Sequence, residues 1–352
     1  MNIYIFTDHL AAGGIGVVVA QHAMCLVRTG HHVRVVCNVD GAVPSYEWNT
    51  MSPGILERLI TSGVSVVPIA ADQIGNVLQT IQTRDGVVVH ASWRGRLLAR
   101  ARELQRPDLK LVYFMHSSCD EDVVKMDDEL LEHLQGAYLV VTASDIVAND
   151  IRAVSNDVKL HRLTYGVDTD VFYPPASARG ERKRRQVLFI GRPNRVKGGH
   201  LVSAIAKRLE QSGIEVWVHG VFRKGDYGYE NVPNVFRTES AVSDAEVAEL
   251  MRSSAALIVP STRGEGQPLV VLEGIACGTV VVAAEGAAGG LWPEHPVVVV
   301  PPDAESVSNA VVNAFEDQAA MQKRVQVGVR QVANFTWKIH VEQFTRAVGW
   351  NT

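Results

Sequence analysis

From the second residue onward, short runs of β-branched and other apolar residues alternate with amphipathic stretches of helical length. NIYIF, HVRVVC, VSVVPI, GVVVH, LKLVYFM and AYLVVT read as strands, and their near-continuous apolar character is that of a parallel sheet covered on both faces. Between them, GVVVAQHAMCLVRTG closes on Gly30 and SWRGRLLARARELQR stops ahead of Pro107, both as helices do. This alternation predicts a doubly wound α/β domain. It breaks at VFYPPASARGERKRRQ, where paired prolines, small residues and a basic run mark a linker. A second series follows with QVLFI, EVWVHG, NVFRT, ALIVP and TVVVAA, and a final amphipathic stretch, NFTWKIHVEQFTRAVGW, ends the chain. The expected organisation is two similar units at 1–172 and 173–334, followed by a terminal helix at 335–352.

The length of 352 residues suits two domains with separate cores. A formal net charge of −4 argues against nucleic acid as the main partner. Cys25, Cys37, Cys119 and Cys277 form no C-x-x-C pair and no zinc spacing, so they read as buried thiols of a reducing compartment. The opening MNIYIFTDHLAAGG has neither a charged n-region nor a long apolar h-region, and no apolar stretch reaches the length of a membrane span. The expected location is the cytoplasm.

Doubly wound sheets bind ligands at the carboxyl ends of their strands, so the turns after strands are where chemistry is sought. After the first strand, Gly13, Gly14 and Gly16 open a helix, whose free N–H groups and positive dipole end suit an anion or a close-packed ligand. The spacing is not G-x-G-x-x-G, and Asp40 is the sole acidic residue placed after the second strand, so a plain tight turn outweighs dinucleotide binding. In FIGRPNRVKGG, Arg192, Arg195 and Lys197 sit among turn-forming residues, as a diphosphate would need for charge-assisted hydrogen bonds. Then PSTRGEGQPLVVLEGIACG places Glu265 in a loop and Glu273 five residues beyond Pro268, roughly 7–8 Å along the helix axis. Pro268 suits the first helical position, with Gly278 near the stop. Carboxylates here make sense if they accept hydrogen bonds from neutral hydroxyls while the helix start, Arg192 and Lys197 take phosphates. A sugar nucleotide carries both kinds of group. The plainer reading is a capping acid and a helix-surface glutamate.

PSTRGEGQPLVVLEGIACG, FIGRPNRVKGG, YGVDTDVFYP and the TW before the last helix together resemble the retaining GT-B glycosyltransferases, the glycosyl transferases of group 1. The resemblance covers essentially the whole chain. It implies two Rossmann-like domains facing a central cleft, with the terminal helix crossing back to the first domain. By the same resemblance Glu265 contacts donor-sugar hydroxyls, Glu273 the ribose, and Arg192 and Lys197 the diphosphate. Gly13 and Gly14 approach the donor across the cleft, and Gly191, Gly266, Gln267, Pro268, Leu269 and Val270 complete the donor-binding set. His116, at the end of the fifth strand, resembles the family histidine that reaches the donor sugar, although Ser117 follows it where the family often has Asp. Tyr165 stands where the family usually has Asn before GVD, and Val280 where Pro is frequent.

The implied activity is transfer from a UDP- or GDP-sugar to an acceptor hydroxyl, with retention and without a metal or other cofactor. The expected setting is bacterial glycan, lipopolysaccharide or glycolipid synthesis with a glycan or lipid-linked acceptor. A nucleotide-sugar epimerase and a non-catalytic sugar-nucleotide-binding protein are the competing readings. His90 is a second histidine candidate for the site. Asp120 with Asp122, and Asp168 with Asp170, form D-x-D pairs that could hold a divalent metal, but a helix start explains the first and a turn the second. Arg94, Arg96, Arg100, Arg102 and Arg106 with Trp93 form a basic helix. It reads either as a solvated face or as a contact with an anionic acceptor or the inner membrane surface.

Overall fold

The computed structural model describes the chain apart from residues 8–9, 11–12, 39–51, 91–93, 118–127, 176–184, 221–224, 239–242, 263–264, 289–294 and 351–352, and apart from the side chains at 71, 94–96 and 98–99. Asp40, Trp93, Cys119, Asp120, Asp122, most of the expected linker and the side chains of Arg94 and Arg96 therefore lie outside the described residues. Two compact units are present, Met1–Tyr165 with Trp337–Thr352, and Gly166–Thr336.

In the first unit, strands β1 (Asn2–Thr7), β2 (His32–Asn38), β3 (Ser65–Ile69), β4 (Gly86–His90), β5 (Leu111–Met115), β6 (Leu139–Thr142) and β7 (Leu160–Arg162) alternate with helices. These are α1 (Gly14–Arg28), α2 (Pro53–Thr61), α3 (Ile74–Thr80), α4 (Arg94–Glu103), α5 (Asp128–Gly136) and α6 (Asp145–Val154). The second unit contains β8 (Gln186–Ile190), α7 (Gly199–Glu210), β9 (Glu215–His219), β10 (Val235–Thr238), α8 (Asp244–Ser253) and β11 (Ala256–Val259). It continues through α9 (Leu269–Ala276), β12 (Val280–Ala284), α10 (Glu285–Ala288), β13 (Val298–Val300), α11 (Ala304–Glu316) and α12 (Gln318–Val332). The last helix, α13 (Trp337–Val348), belongs to the first unit.

Each unit holds one parallel sheet, in the orders β3-β2-β1-β4-β5-β6-β7 and β10-β9-β8-β11-β12-β13. The two share one winding. The unit's first strand lies beside its fourth, β1 beside β4 and β8 beside β11, and the chain moves outward from that pair in opposite directions. Alternation along the strands of the second unit sends Val187 and Phe189 to one face and Leu188 to the other. The first face packs with Val202, Ile205, Val307 and Val311 of α7 and α11, the second with Met251, Val271, Leu272 and Val332 of α8, α9 and α12. Helices on both faces explain why these strands are apolar throughout.

Two strands, β7 and β13, are not predicted by the sequence pattern. LHR is largely polar, and the valines of β13 sit in PVVVVPP between prolines that normally exclude strands. Val167 and Phe172 are buried in the core of the second unit, so the chain has entered that unit before Pro174 and Pro175. The backbone N–H of Val167 donates to the carbonyl of Phe335 at 2.8 Å, which lays the entry of the chain into this unit alongside its exit.

The terminal helix buries Trp337, His340, Val341, Phe344 and Val348. The Phe344 ring meets His22 of α1 edge-on at 4.5 Å between centroids, and His340 Nδ1 bonds the carbonyl of Thr164 at 2.7 Å. Beyond the helix, Trp350 lies flat over Gly86, where an added Cβ would come within 2.4 Å of the indole.

Candidate functional site

In the second unit the site grows out of the reversal between β8 and β11, because there the two strand ends release their loops side by side. The turn after β8 folds on itself. Lys197 N donates to Asn194 Oδ1 at 2.9 Å and Gly199 N to the Asn194 carbonyl at 2.8 Å. Gly198 has φ 77° and lies against the end of β11, where a Cβ would stand 2.0 Å from the Pro260 carbonyl oxygen. Only glycine fits that approach and that dihedral together. Thr262 then ties the loops, its N–H donating to the Val196 carbonyl at 3.0 Å and its hydroxyl to the Arg195 carbonyl at 3.1 Å.

This join brings Lys197 and Glu265 into an ion pair, and the buried Ser261 hydroxyl donates to the other oxygen of Glu265. The Glu265 side chain is 10% exposed and the Lys197 side chain 40%, so the pair opens to solvent on the lysine side. Glu265 is fixed from below as well, its N–H donating to the Gly286 carbonyl at 2.9 Å. Arg192 is held by Asp226, whose carboxylate is 1% exposed and takes Nε at 2.9 and 3.0 Å. Both terminal nitrogens of Arg192 make no hydrogen bond among the described residues. They form an orientated donor fork. Arg195 is exposed on the outside of the same turn.

Gly266, Gln267 and Pro268 are buried, and Leu269 and Val270 begin α9 half-buried. Pro268 is the cap residue, in extended conformation, and not the first helical residue as expected. Its ψ of 119° keeps it outside the helix. No side chain caps α9, nor the starts of α1 and α7. By contrast α6, α8, α11 and α12 are capped by Ser144, Ser243, Asp303 and Asp317. The starts of α2 and α3 lack a side-chain cap as well, but those of α1, α7 and α9 follow β1, β8 and β11, the strands at the reversals, where free N–H groups suit an anion.

Glu273 lies on the second turn of α9 and its carboxylate makes no hydrogen bond or ion pair among the described residues. Burial, reinforced by the Asp244 charge, pushes it up to about 8. A carboxyl group so placed lacks a hydroxyl or N–H partner. Downstream, Cys277 is buried and its thiol pushed up to about 12, chiefly by desolvation. That is an inert core thiol.

In the first unit, Gly13 and Gly14 are exposed at the start of α1, and a Cβ at Gly14 would meet nothing within 4 Å. The space around Gly14 does not itself require glycine. His116 follows β5 and is held at both ring nitrogens, Nδ1 by the Tyr165 hydroxyl at 2.6 Å and Nε2 by Nδ1 of His90 at 3.0 Å. His90 is fully buried, stacks on Phe114 at 4.4 Å, and its Nε2 has no partner among the described residues. Behind it lie His22, with both ring nitrogens unpartnered among the described residues, and His340. Burial lowers the pKa of all three, that of His340 to about 4, and the neighbouring imidazoles lower those of His22 and His90 further. They are neutral at physiological pH.

Other sequence candidates have ordinary explanations. Asp168 Oδ1 accepts from Asp170 N at 3.1 Å, a side-chain-closed turn. On and beside α4, Arg100 pairs with Glu103 and Arg102 with Glu132. Arg106 binds both oxygens of Asp108 and the carbonyls of Leu78 and Ile81, all at 2.8 Å. Asp226, Ser261 and Thr262 escaped sequence reasoning. Nothing in GDYGYE links an aspartate to an arginine 34 positions upstream, and the two hydroxyls read simply as turn residues. Tyr165 was visible only as a departure from the GVD pattern.

Known proteins resemble this chain in sequence and in fold. A family model described as Glycosyltransferase Family 4 matches residues 12–171, and one described as Glycosyl transferases group 1 matches residues 184–317. The phosphatidyl-myo-inositol mannosyltransferase of Mycobacterium tuberculosis is 28% identical over 201 residues, which are 51% of this chain and 51% of that protein. The chain thus aligns with about half the length of that relative. The D-inositol 3-phosphate glycosyltransferase of Acidothermus cellulolyticus is 28% identical over 80% of this chain and 72% of its own. Among solved structures, HepE of Anabaena in complex with UDP and glucose superposes with a TM-score of 0.78 at 17% identity, covering 100% of both chains. With one matched domain in each unit, the same doubly wound architecture twice over and a solved fold that matches end to end, the chain belongs to the GT-B glycosyltransferase family.

Proposed function

We propose that the protein transfers a glycosyl group from a nucleotide diphosphate sugar to an acceptor hydroxyl, with retention of anomeric configuration. The observation that carries this reading is the Lys197–Glu265 pair at the β8/β11 reversal, with the Arg192 fork in the same loop and an unpartnered Glu273 on the helix that follows. Cations and an uncapped helix start suit a diphosphate, whereas two carboxylates suit sugar and ribose hydroxyls. A site for a phosphate alone would gain nothing from the acids.

In this reading Arg192, Lys197 and the N–H groups at the start of α9 neutralise charge on the departing diphosphate. Glu265, orientated by Ser261, accepts from the donor sugar, and Glu273 accepts from the ribose. The bond from the anomeric carbon to the phosphate oxygen breaks as the bond to the acceptor oxygen forms on the same face. The departing phosphate oxygen takes the acceptor proton. These groups supply the positive charge without a divalent metal. The donor is a UDP- or GDP-sugar, in keeping with the UDP and glucose held by HepE. The N-terminal unit takes a glycan or lipid-linked acceptor, and the protein works in the cytoplasm or on the inner face of the membrane.

Incubation with UDP-, GDP- and ADP-sugars in EDTA, followed by NMR of the anomeric protons, tests the reading. Slow release of free sugar with unchanged anomeric configuration, from one nucleotide in preference to the others, is expected. Conversion of a nucleotide sugar into its epimer would overturn the proposal, as would strict dependence on added metal for its metal-independent form.

A further inference from the structure

We infer that Tyr165 and His90 are positioning residues that jointly fix the imidazole of His116 at the carboxyl end of β5. The kinetic consequence rests on the transferase reading above; the structural one does not. Tyr165, the last residue of the first unit's N-terminal segment, comes from 49 positions downstream to place its hydroxyl 2.6 Å from Nδ1. His90 ends β4, the neighbouring strand, and meets Nε2 at 3.0 Å.

The ring therefore has no rotational freedom without breaking a short hydrogen bond. His90 is itself clamped, stacked at 4.4 Å on Phe114 and fully buried. Tyr165 is 4% exposed and stacks on Trp337 of α13 at 6.3 Å. Each link of the chain Tyr165–His116–His90 holds one proton, so the protonation of each group constrains its neighbour. Other ionisable groups about this cluster are His22 of α1, 5.7 Å from His90, and His340 of α13, 6.1 Å from Tyr165. Burial keeps the Tyr165 phenol protonated and His22, His90 and His340 neutral. Of the two supports, His90 is fixed at the end of β4, and Tyr165 arrives on the segment leading out of the unit. A histidine needed only for packing would not require both nitrogens to be held from separate elements.

Two readouts test this on the full-length protein. In long-range ¹H–¹⁵N spectra of the histidine side chains, wild-type His116 is expected as a single neutral tautomer, and Tyr165→Phe is expected to convert it into a mixture of tautomers with a shifted titration. In turnover assays Tyr165→Phe should lower kcat about tenfold and displace its pH profile, with KM for the donor changed less than twofold. His90→Asn, which keeps a polar nitrogen or oxygen near the position of Nδ1, should retain most of kcat, while His90→Leu should not. An unchanged tautomer and unchanged kcat in Tyr165→Phe would overturn the inference, as would equal losses in His90→Asn and His90→Leu. Absence of turnover in the wild-type protein with every nucleotide sugar would count against the transferase reading and leave the tautomer measurement to decide the positioning.

Discussion

Arg192 shows how a buried acid can serve a cation without cancelling it. Asp226 takes only Nε, from a site 1% exposed, and so aims the remaining fork of the guanidinium. A charge-assisted hydrogen bond contributes about 1.5–3 kcal/mol, so Arg192→Ala should lower turnover or donor affinity roughly ten- to a hundredfold. Steady-state kinetics and calorimetric titration of the nucleoside diphosphate measure both, and wild-type values in the variant would remove Arg192 from the diphosphate site. Glu273 is the complementary case. Its carboxyl pKa is raised from 4.5 to about 8 in the folded protein, so the native state binds more protons than the unfolded state between those values. Its contribution to stability therefore falls as pH rises through that window. Glu273→Gln should abolish this dependence and melt higher than wild type above pH 8, as read by Tm against pH. Glu273→Ala should weaken binding of the free nucleoside diphosphate. Normal binding in that variant would refute the ribose assignment.

At the level of elements, the turn after β8 depends on one dihedral and one close approach. Gly198 combines φ 77° with a backbone oxygen where a Cβ would be. Alanine costs about 1–2 kcal/mol for the left-handed conformation alone, and the Pro260 carbonyl cannot move away as a flexible side chain could. Gly198→Ala should therefore separate the loop from β11, break the Thr262 hydrogen bonds and weaken nucleotide binding at least tenfold. A fall in Tm with unchanged binding would show that the loop join is structural only. The pattern of apolar runs was enough to read eleven strands, most plainly those such as β4, β5, β11 and β12 at which burial on both sheet faces imposes continuous hydrophobicity. It did not reveal β7 or β13, which are short and flanked or interrupted by residues of other preference. The site was legible for a related reason. Glycine and proline are costly inside strands and helices but suit the turns between them, so together with paired charges they stand out from the apolar runs, as they do from Gly191 to Gly199 and from Glu265 to Glu273. Partners that meet only in three dimensions, such as Asp226 with Arg192 or Tyr165 with His116, leave no local trace.

Across the whole molecule, the chain passes from the first unit to the second at Tyr165 and returns at Trp337. The returning helix completes the first unit's packing. Phe344 is fully buried against His22 and Phe114, at 4.5 and 5.6 Å between centroids, and Trp350 closes over Gly86 at the start of β4. The first unit's stability thus depends on residues that are synthesised only after the whole second unit. Phe344→Ala tests this in the intact chain. Truncating a buried phenylalanine costs about 3–5 kcal/mol, and here the loss should fall on α1, β4, β5 and α13. Hydrogen exchange followed by mass spectrometry should show faster exchange in peptides covering residues 14–28, 86–90 and 111–115. Peptides covering 186–190 and 256–259, whose cores contain no residue of α13, should exchange as in wild type. Equal acceleration in both sets would mean that the two units open as one cooperative body, and that α13 supports the fold of both.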